Sequence, residues 1–328
     1  MSCFKELSPR VSTNISSVRT LLLLISRRLL LISAFVSGGV LAEPPYSGTV
    51  FLDPDIITAN DPTTFVDTDY MGTGMRTMFD RRVNDWIQVN AFLFNATYSD
   101  GLSIEIQVNP EFGSVEAAET EANFYGSAIG QIPYALRTEL ETSWIHKGDE
   151  LFGGGNNNIL IHTGAFGQDY IARGFLEEVL IHEAVHTSLD ADYARSEGWI
   201  AAQEADGEFI STYARDYPHR EDLAESFVPY VAVLYKSDRI SEEMRDAIIS
   251  TIPNRIDYLD RQRFDMAPVA LEPSVGIPDT RGSLSGSWYD PTRNGEGFVL
   301  DFGSTPRGPV VAVYWFTHKN GQPYWLIG

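Results

Sequence analysis

Residues 176–190, LEEVLIHEAVHTSLD, hold the spacing H-E-x-x-H inside a breaker-free, apolar-rich run, and no other stretch constrains the chain as tightly. Residues four apart on an α-helix rise about 6 Å and return to the same face, so the imidazoles of His182 and His186 converge on one cation. Glu183 then projects beside that cation, placed to take a proton from water bound to it. The helical reading is carried by Ile171, Phe175 and Val179 with Leu176, Leu180, Val185 and Leu189, which recur at three- and four-residue steps and predict a helix over Asp169–Leu189. The bland alternative is a buried histidine pair beside a surface glutamate.

A hydrolytic zinc takes three protein ligands and leaves one position open for water, so a third donor must come from elsewhere in the chain. The sole cysteine is Cys3, in the leader described next, which leaves His, Asp and Glu as donors. Downstream, Pro218 near a helix start with Asp216 as a cap predicts a helix whose buried side is Leu223, Phe227, Val228 and Val231. Glu221 and Glu225 are four apart and share a face of it. One can coordinate the metal while the other hydrogen-bonds the far nitrogen of a ligand histidine. Asp190, one turn beyond His186, suits an outer partner, and His219 and Asp192 complete the candidates.

The first forty-odd residues read as a leader. Arg27 and Arg28 precede an apolar run from Leu29 to Val40, and Val40-Leu41-Ala42 offers small residues for cleavage after Ala42. The arginine pair interrupts the apolar stretch, so no uninterrupted span of about 20 residues is present. Export by the general or the twin-arginine route is open, and the expected location is secreted or periplasmic. The whole chain carries a formal charge of −21, and losing the leader, with five basic residues and one acidic, makes the remainder more acidic still. Such a charge argues against nucleic acid or anionic membrane as a partner.

Along the rest of the chain, 44–62 reads as a leading segment with one strand-like run, Thr49–Leu52, and no visible chemistry. Phe79–Leu93 shows helical or mixed spacing, and a turn follows at Ser99-Asp100-Gly101. Strands are expected at Leu102–Val108, Ser143–His146 and Ile159–His162, and helices at Val115–Ile129, Ala135–Glu141, Ser196–Asp206 and Glu242–Thr251. The run Gly153-Gly154-Gly155-Asn156-Asn157-Asn158 lacks the Lys-Ser/Thr ending of a phosphate loop and reads as a tight turn. Its position suggests that Ile159–His162 borders the cleft, where an exposed strand edge can hold an extended peptide. His146 and His162 end short apolar strands and are minor site candidates.

At HEAVH and the later E-x-x-A-E, Glu221 to Glu225, the chain resembles the glutamate-zincin metallopeptidases, in its E-x-x-A-E form the lethal-factor type. Arg220 stands where thermolysin-type relatives carry Asn. The resemblance, over residues 182–227, implies a zinc-dependent peptidase with His182, His186 and Glu221 as Zn²⁺ ligands. It implies Glu183 as general base, Glu225 as the carboxylate behind a ligand histidine, and Tyr213, or else Tyr217, as an oxyanion stabiliser. The expected fold is α+β: a zincin-like domain over 43–265, a small sheet plus active-site helices, then a linker over 266–283. A β-rich module follows over 284–328, where W-Y-x-P, G-x-G-F and Y-W resemble an aromatic repeat at the ends of secreted bacterial proteins; the stretch looks truncated. Its aromatics offer a surface for carbohydrate or a cell surface, and peptide or protein is the expected substrate. The rival function is an extracytoplasmic binding or adhesion protein with a structural zinc.

Overall fold

The computed structural model describes residues 43–270, 286–289, 297–305, 308–319 and 322–327. β1 (Phe65–Asp80) and β2 (Asp85–Tyr98) form a long antiparallel hairpin. It replaces the helical or mixed segment expected over 79–93. The pairing Asp80↔Asp85 closes the ladder, and the turn ends on Asn84 at φ 51, a left-handed conformation that Asn tolerates. The polarity pattern misled because apolar side chains at the hairpin tip are left open to solvent, with Val83 61% and Trp86 49% exposed.

β3 (Ser103–Val108) pairs antiparallel with β2; β4 (Thr142–His146), β5 (Gly153–Gly155) and β6 (Asn158–His162) complete a mixed sheet of order β1-β2-β3-β4-β6-β5. A parallel neighbour requires a crossover, and α1 (Val115–Ile129), capped by Ser114, supplies it between β3 and β4. Ala118, Ala122, Tyr125 and Ile129 of α1 share one core with Phe94, Ile104 and Ile106 of the sheet. The helix expected over Ala135–Glu141 contracts to a 3-10 turn at Tyr134–Leu136, where buried Arg137 donates back to the Ile132 carbonyl.

The single helix expected over Asp169–Leu189 is two, α2 (Ala165–Arg173) and α3 (Leu176–Ser188), because Gly174 at φ 75 ends the first. Then come α4 (Asp190–Tyr193), α5 (Glu197–Asp206), α6 (Thr212–Asp216), α7 (Asp222–Tyr235), α8 (Glu242–Thr251) and α9 (Pro253–Arg261). α7 starts at Asp222 rather than near Pro218, which lies in a turn closed by the Glu221 N–H on the Tyr217 carbonyl (2.8 Å). α3 packs on α7, and Leu180, Ile181, Ala184 and Val185 of the first share one core with Leu223, Phe227 and Val228 of the second. Each large apolar side chain so buried contributes about 1.5–3 kcal/mol, which makes the helix pair a firm mount for polar groups.

Thr49–Leu52, expected as a strand, is a turn, and the segment's ladder contact is the bridge Tyr46↔Ser211. Met266 and Val269 are buried in the core, so packing runs past Asp265 into the stretch expected to be linker. β7 (Gly286–Tyr289), β8 (Gly297–Thr305), β9 (Gly308–Lys319) and β10 (Gln322–Ile327) form a separate antiparallel meander. The described residues are thus mixed α and β, and no helix among them is long and apolar enough to cross a membrane. Residues 1–42, where a leader is expected, and residues 271–283 lie outside the described residues.

His146 on β4 and His162 on β6 stack at 5.2 Å inside the sheet, fully buried and away from the cleft. Asn109 is oriented by its Oδ1 accepting from the Glu111 N–H, so its amide donates to His146 Nδ1 (3.0 Å), and His146 Nε2 has no partner. Burial, then the neighbouring His162, pushes His146 down to about 4. A histidine with a depressed folded pKa is fully stabilising above its unfolded value near 6.5, and that stability is lost as pH falls towards the folded pKa. We expect the chelated protein to lose about 3 kcal/mol through this ring between pH 6.5 and 4. His146→Gln removes that component, so denaturant unfolding at both pH values should show the gap between variant and parent closing in acid.

Candidate metal centre and cleft

His182 and His186 lie one turn apart on α3 with their rings edge to face, 4.9 Å between centroids. Glu221, at the N-cap of α7, reaches across to them. His182 Nε2 and His186 Nε2 are 3.2 Å apart, and Glu221 Oε2 is 3.4 Å from the first and 3.1 Å from the second. A tetrahedral ion with bonds of about 2.0–2.1 Å sets its ligand atoms about 3.3 Å apart, so these three atoms form a fitting triangular face. Among the described residues they are also the group of His, Cys, Asp and Glu side chains close enough together to hold a metal.

The far sides of the rings explain which nitrogens converge. His186 Nδ1 meets Asp190 Oδ2 at 2.7 Å, and His182 Nδ1 faces Glu225 Oε1 at 3.5 Å. A ring proton drawn to Nδ1 by a carboxylate leaves the Nε2 lone pair free to ligate. Two lone pairs and a carboxylate oxygen then point into one small volume, an arrangement that only a positive charge relieves. Burial lowers the pKa of His186, yet the hydrogen bonds to Asp190 and Glu221 and the charges of Asp190 and Glu183 carry it up to about 10. Glu221, despite a burial that works the other way, is held well below the usual carboxylate range by His182 and His186. Burial pushes Glu225 up, against the pull of His182 and the hydrogen bonds from Ser211 and Thr49. Two imidazoles and one carboxylate, without sulfur, form a donor set that a divalent transition metal can occupy.

Of the rival third donors, Glu225 lies behind His182 instead of beside Glu221, Asp190 lies behind His186, and His219 and Asp192 are exposed and outside the cluster. Glu183 and Tyr213 line the same open cleft of about 830 Å³ as the three converging residues. Tyr213 stacks edge-on with Tyr217 at 5.4 Å, and its hydroxyl is 3.5 Å from Arg220 Nη2.

Several groups at the site carry no signal in the periodicity. Arg220 Nε holds Glu221 Oε1 at 2.6 Å and so turns Oε2 toward the histidines. Glu225 Oε2 accepts from Ser211 Oγ (2.6 Å) and from the Thr49 N–H (2.9 Å), so the leading segment, read as free of chemistry, fixes the carboxylate behind His182. The exposed edge expected at Ile159–His162 is covered: β5 pairs outside β6 and is itself the edge beside α3. Its middle residue must be glycine, since a Cβ at Gly154 would fall inside the Glu183 carbonyl of α3. The Gly155 N–H then bonds Thr187 Oγ1 at 2.8 Å, tying the edge strand to the helix. The glycine triplet itself was the available signal.

Glu225→Gln and Asp190→Asn are each expected to weaken the binding of an added divalent metal about 10–100-fold while leaving three donors in place, measured by chelator competition. Gly154→Ala is expected to lower both the unfolding midpoint and zinc affinity, because the backbone of the edge strand or of α3 must move. No protein-family model, no curated protein and no solved structure matches this chain.

Proposed function

We propose that the chain is a zinc-dependent metallopeptidase of the glutamate-zincin type, exported by its leader and acting on extended peptides. The observation that carries this reading is the convergence of His182 Nε2, His186 Nε2 and Glu221 Oε2, with Glu183 lining the same cleft. A divalent ion held there supplies Lewis-acid activation of a water, whose pKa falls to about 7, and of a substrate carbonyl.

The chain's own groups do the rest. Glu183 accepts a proton from the attacking water and delivers it to the leaving amine, so its carboxylate acts first as base and then as acid. Tyr213, 37% exposed on the cleft wall, offers its hydroxyl to the oxyanion that develops as the carbonyl is attacked. Its pKa is raised by burial and by the charge of Glu221, which keeps the donor proton in place at neutral pH. The glycines of β5 leave the backbone bare along the cleft, a lane in which an extended peptide can hydrogen-bond main chain to main chain. A sheet edge beside the helix that carries HEAVH is what a zincin-like domain needs.

Digestion of an unbiased peptide mixture with and without chelator tests the reading. Glu183→Gln should retain zinc and lose about 10²–10⁴-fold in kcat. Tyr213→Phe should lose about 10²-fold in kcat with little change in KM. Bound zinc with no cleavage of any peptide would favour the binding or adhesion protein with a structural zinc instead.

A further inference from the structure

We propose that Arg81 determines specificity in the cleft by receiving a carboxylate of the bound peptide. The inference rests on the peptidase reading for the nature of its ligand.

Arg81 and Arg82 sit side by side at the tip of the β1–β2 hairpin and have opposite fates. Arg82 is neutralised twice, by Asp80 at 2.8 Å and by Glu111 at 2.7 Å. The Arg81 guanidinium makes no hydrogen bond and no ion pair with any described residue. It lies over the edge strand, where Nη2 is 2.6 Å from the point that a Cβ at Gly153 would occupy. The side-chain-free strand is what leaves it that seat.

The position lies between two hollows. Arg81, Gly154 and Gly155 line both the cleft that holds Glu183 and a second hollow of about 470 Å³ bordered by Phe79, Trp86 and Leu160. Arg81, Tyr170 and Glu183 line the same cleft, so the cation and the base face one space.

Charge then decides what Arg81 can take. The acidic residues of the cleft are Glu183, Asp190, Asp216, Glu221 and Glu225, and its other arginine, Arg220, is spent on Glu221. In a chain of net charge −21 a substrate carboxylate meets repulsion along this wall, except at Arg81 and at a metal held by the histidines. The planar fork of a guanidinium matches a carboxylate through two parallel hydrogen bonds. The carboxylate comes from an Asp or Glu side chain or from the peptide's own C-terminus.

Zinc-loaded Glu183→Gln protein, immobilised, tests this without turnover. It is offered N-acetylated hexapeptide mixtures of four kinds, with Asp or Asn at a fixed position and a C-terminal acid or amide, and retained peptides are quantified by mass spectrometry. The expected result is a preference of about 10–100-fold for Asp over Asn, or for acid over amide, and the pair that separates names the source. Adding Arg81→Ala should bring that ratio near unity, Arg81→Lys should restore part of it, and Arg81→Glu should turn it toward Lys-containing peptides. Equal retention of all four kinds, or a preference that survives in Arg81→Ala, would overturn the proposal. Retention is read apart from cleavage, so failure of the peptidase reading in the digestion assay remains a separate result.

Discussion

Packing of α3 on α7 sets two imidazoles among four carboxylates on the wall of one cleft. His182 lies between Glu221 and Glu225, and His186 between Glu221 and Asp190, with Glu183 beside them on the cleft. Without added positive charge, the like charges would have to be relieved by protonating a ring, which is the tendency His186 displays. The apolar contacts between the helices therefore work against an electrostatic cost, and a bound cation turns that cost into attraction. The rest of the fold keeps this arrangement from relaxing: the sheet backs α3, and Arg220 pins Glu221.

Much of this was legible in the order of residues. The helix bearing HEAVH, α1, α8, β3 and β4 follow from apolar periodicity, and the four-residue steps from His182 to His186 and from Glu221 to Glu225 place side chains on common faces whatever the tertiary context. What escaped has physical reasons. Gly174 splits α2 from α3 through a backbone angle that a count of apolar positions does not register. Apolar side chains such as Val83 and Trp86 are exposed at the hairpin tip, so apolar positions there do not mark a buried face, and β1 left no trace. The roles of Thr49, Ser211 and Arg220 depend on segments far apart in sequence meeting in space, and nothing local marks them.

The edge strand shows how a run of one residue type can hold several unrelated constraints. Gly154 is glycine because α3 passes too close for a side chain, Gly155 adopts φ 112, and Gly153 leaves room for the Arg81 guanidinium. Read as a flexible loop, the triplet would contribute nothing. In the fold it is a rail held between a helix backbone on one side and an arginine on the other, and a side chain added at its middle position meets backbone.

The hydrogen bond from the Thr49 N–H to Glu225 spans 176 positions of sequence. Ordering contacts of such high sequence separation carries a loop-closure cost that local helix formation does not, and it delays them in folding. The pair of histidines on α3 can form early, from neighbours alone. The carboxylate that steadies one of them is complete only when the segment around Thr49 has come back across the finished domain. A metal held by these donors would therefore report global closure: a nascent or partly unfolded chain would hold the ion loosely, and tight retention would mark the protein that has reached its end state.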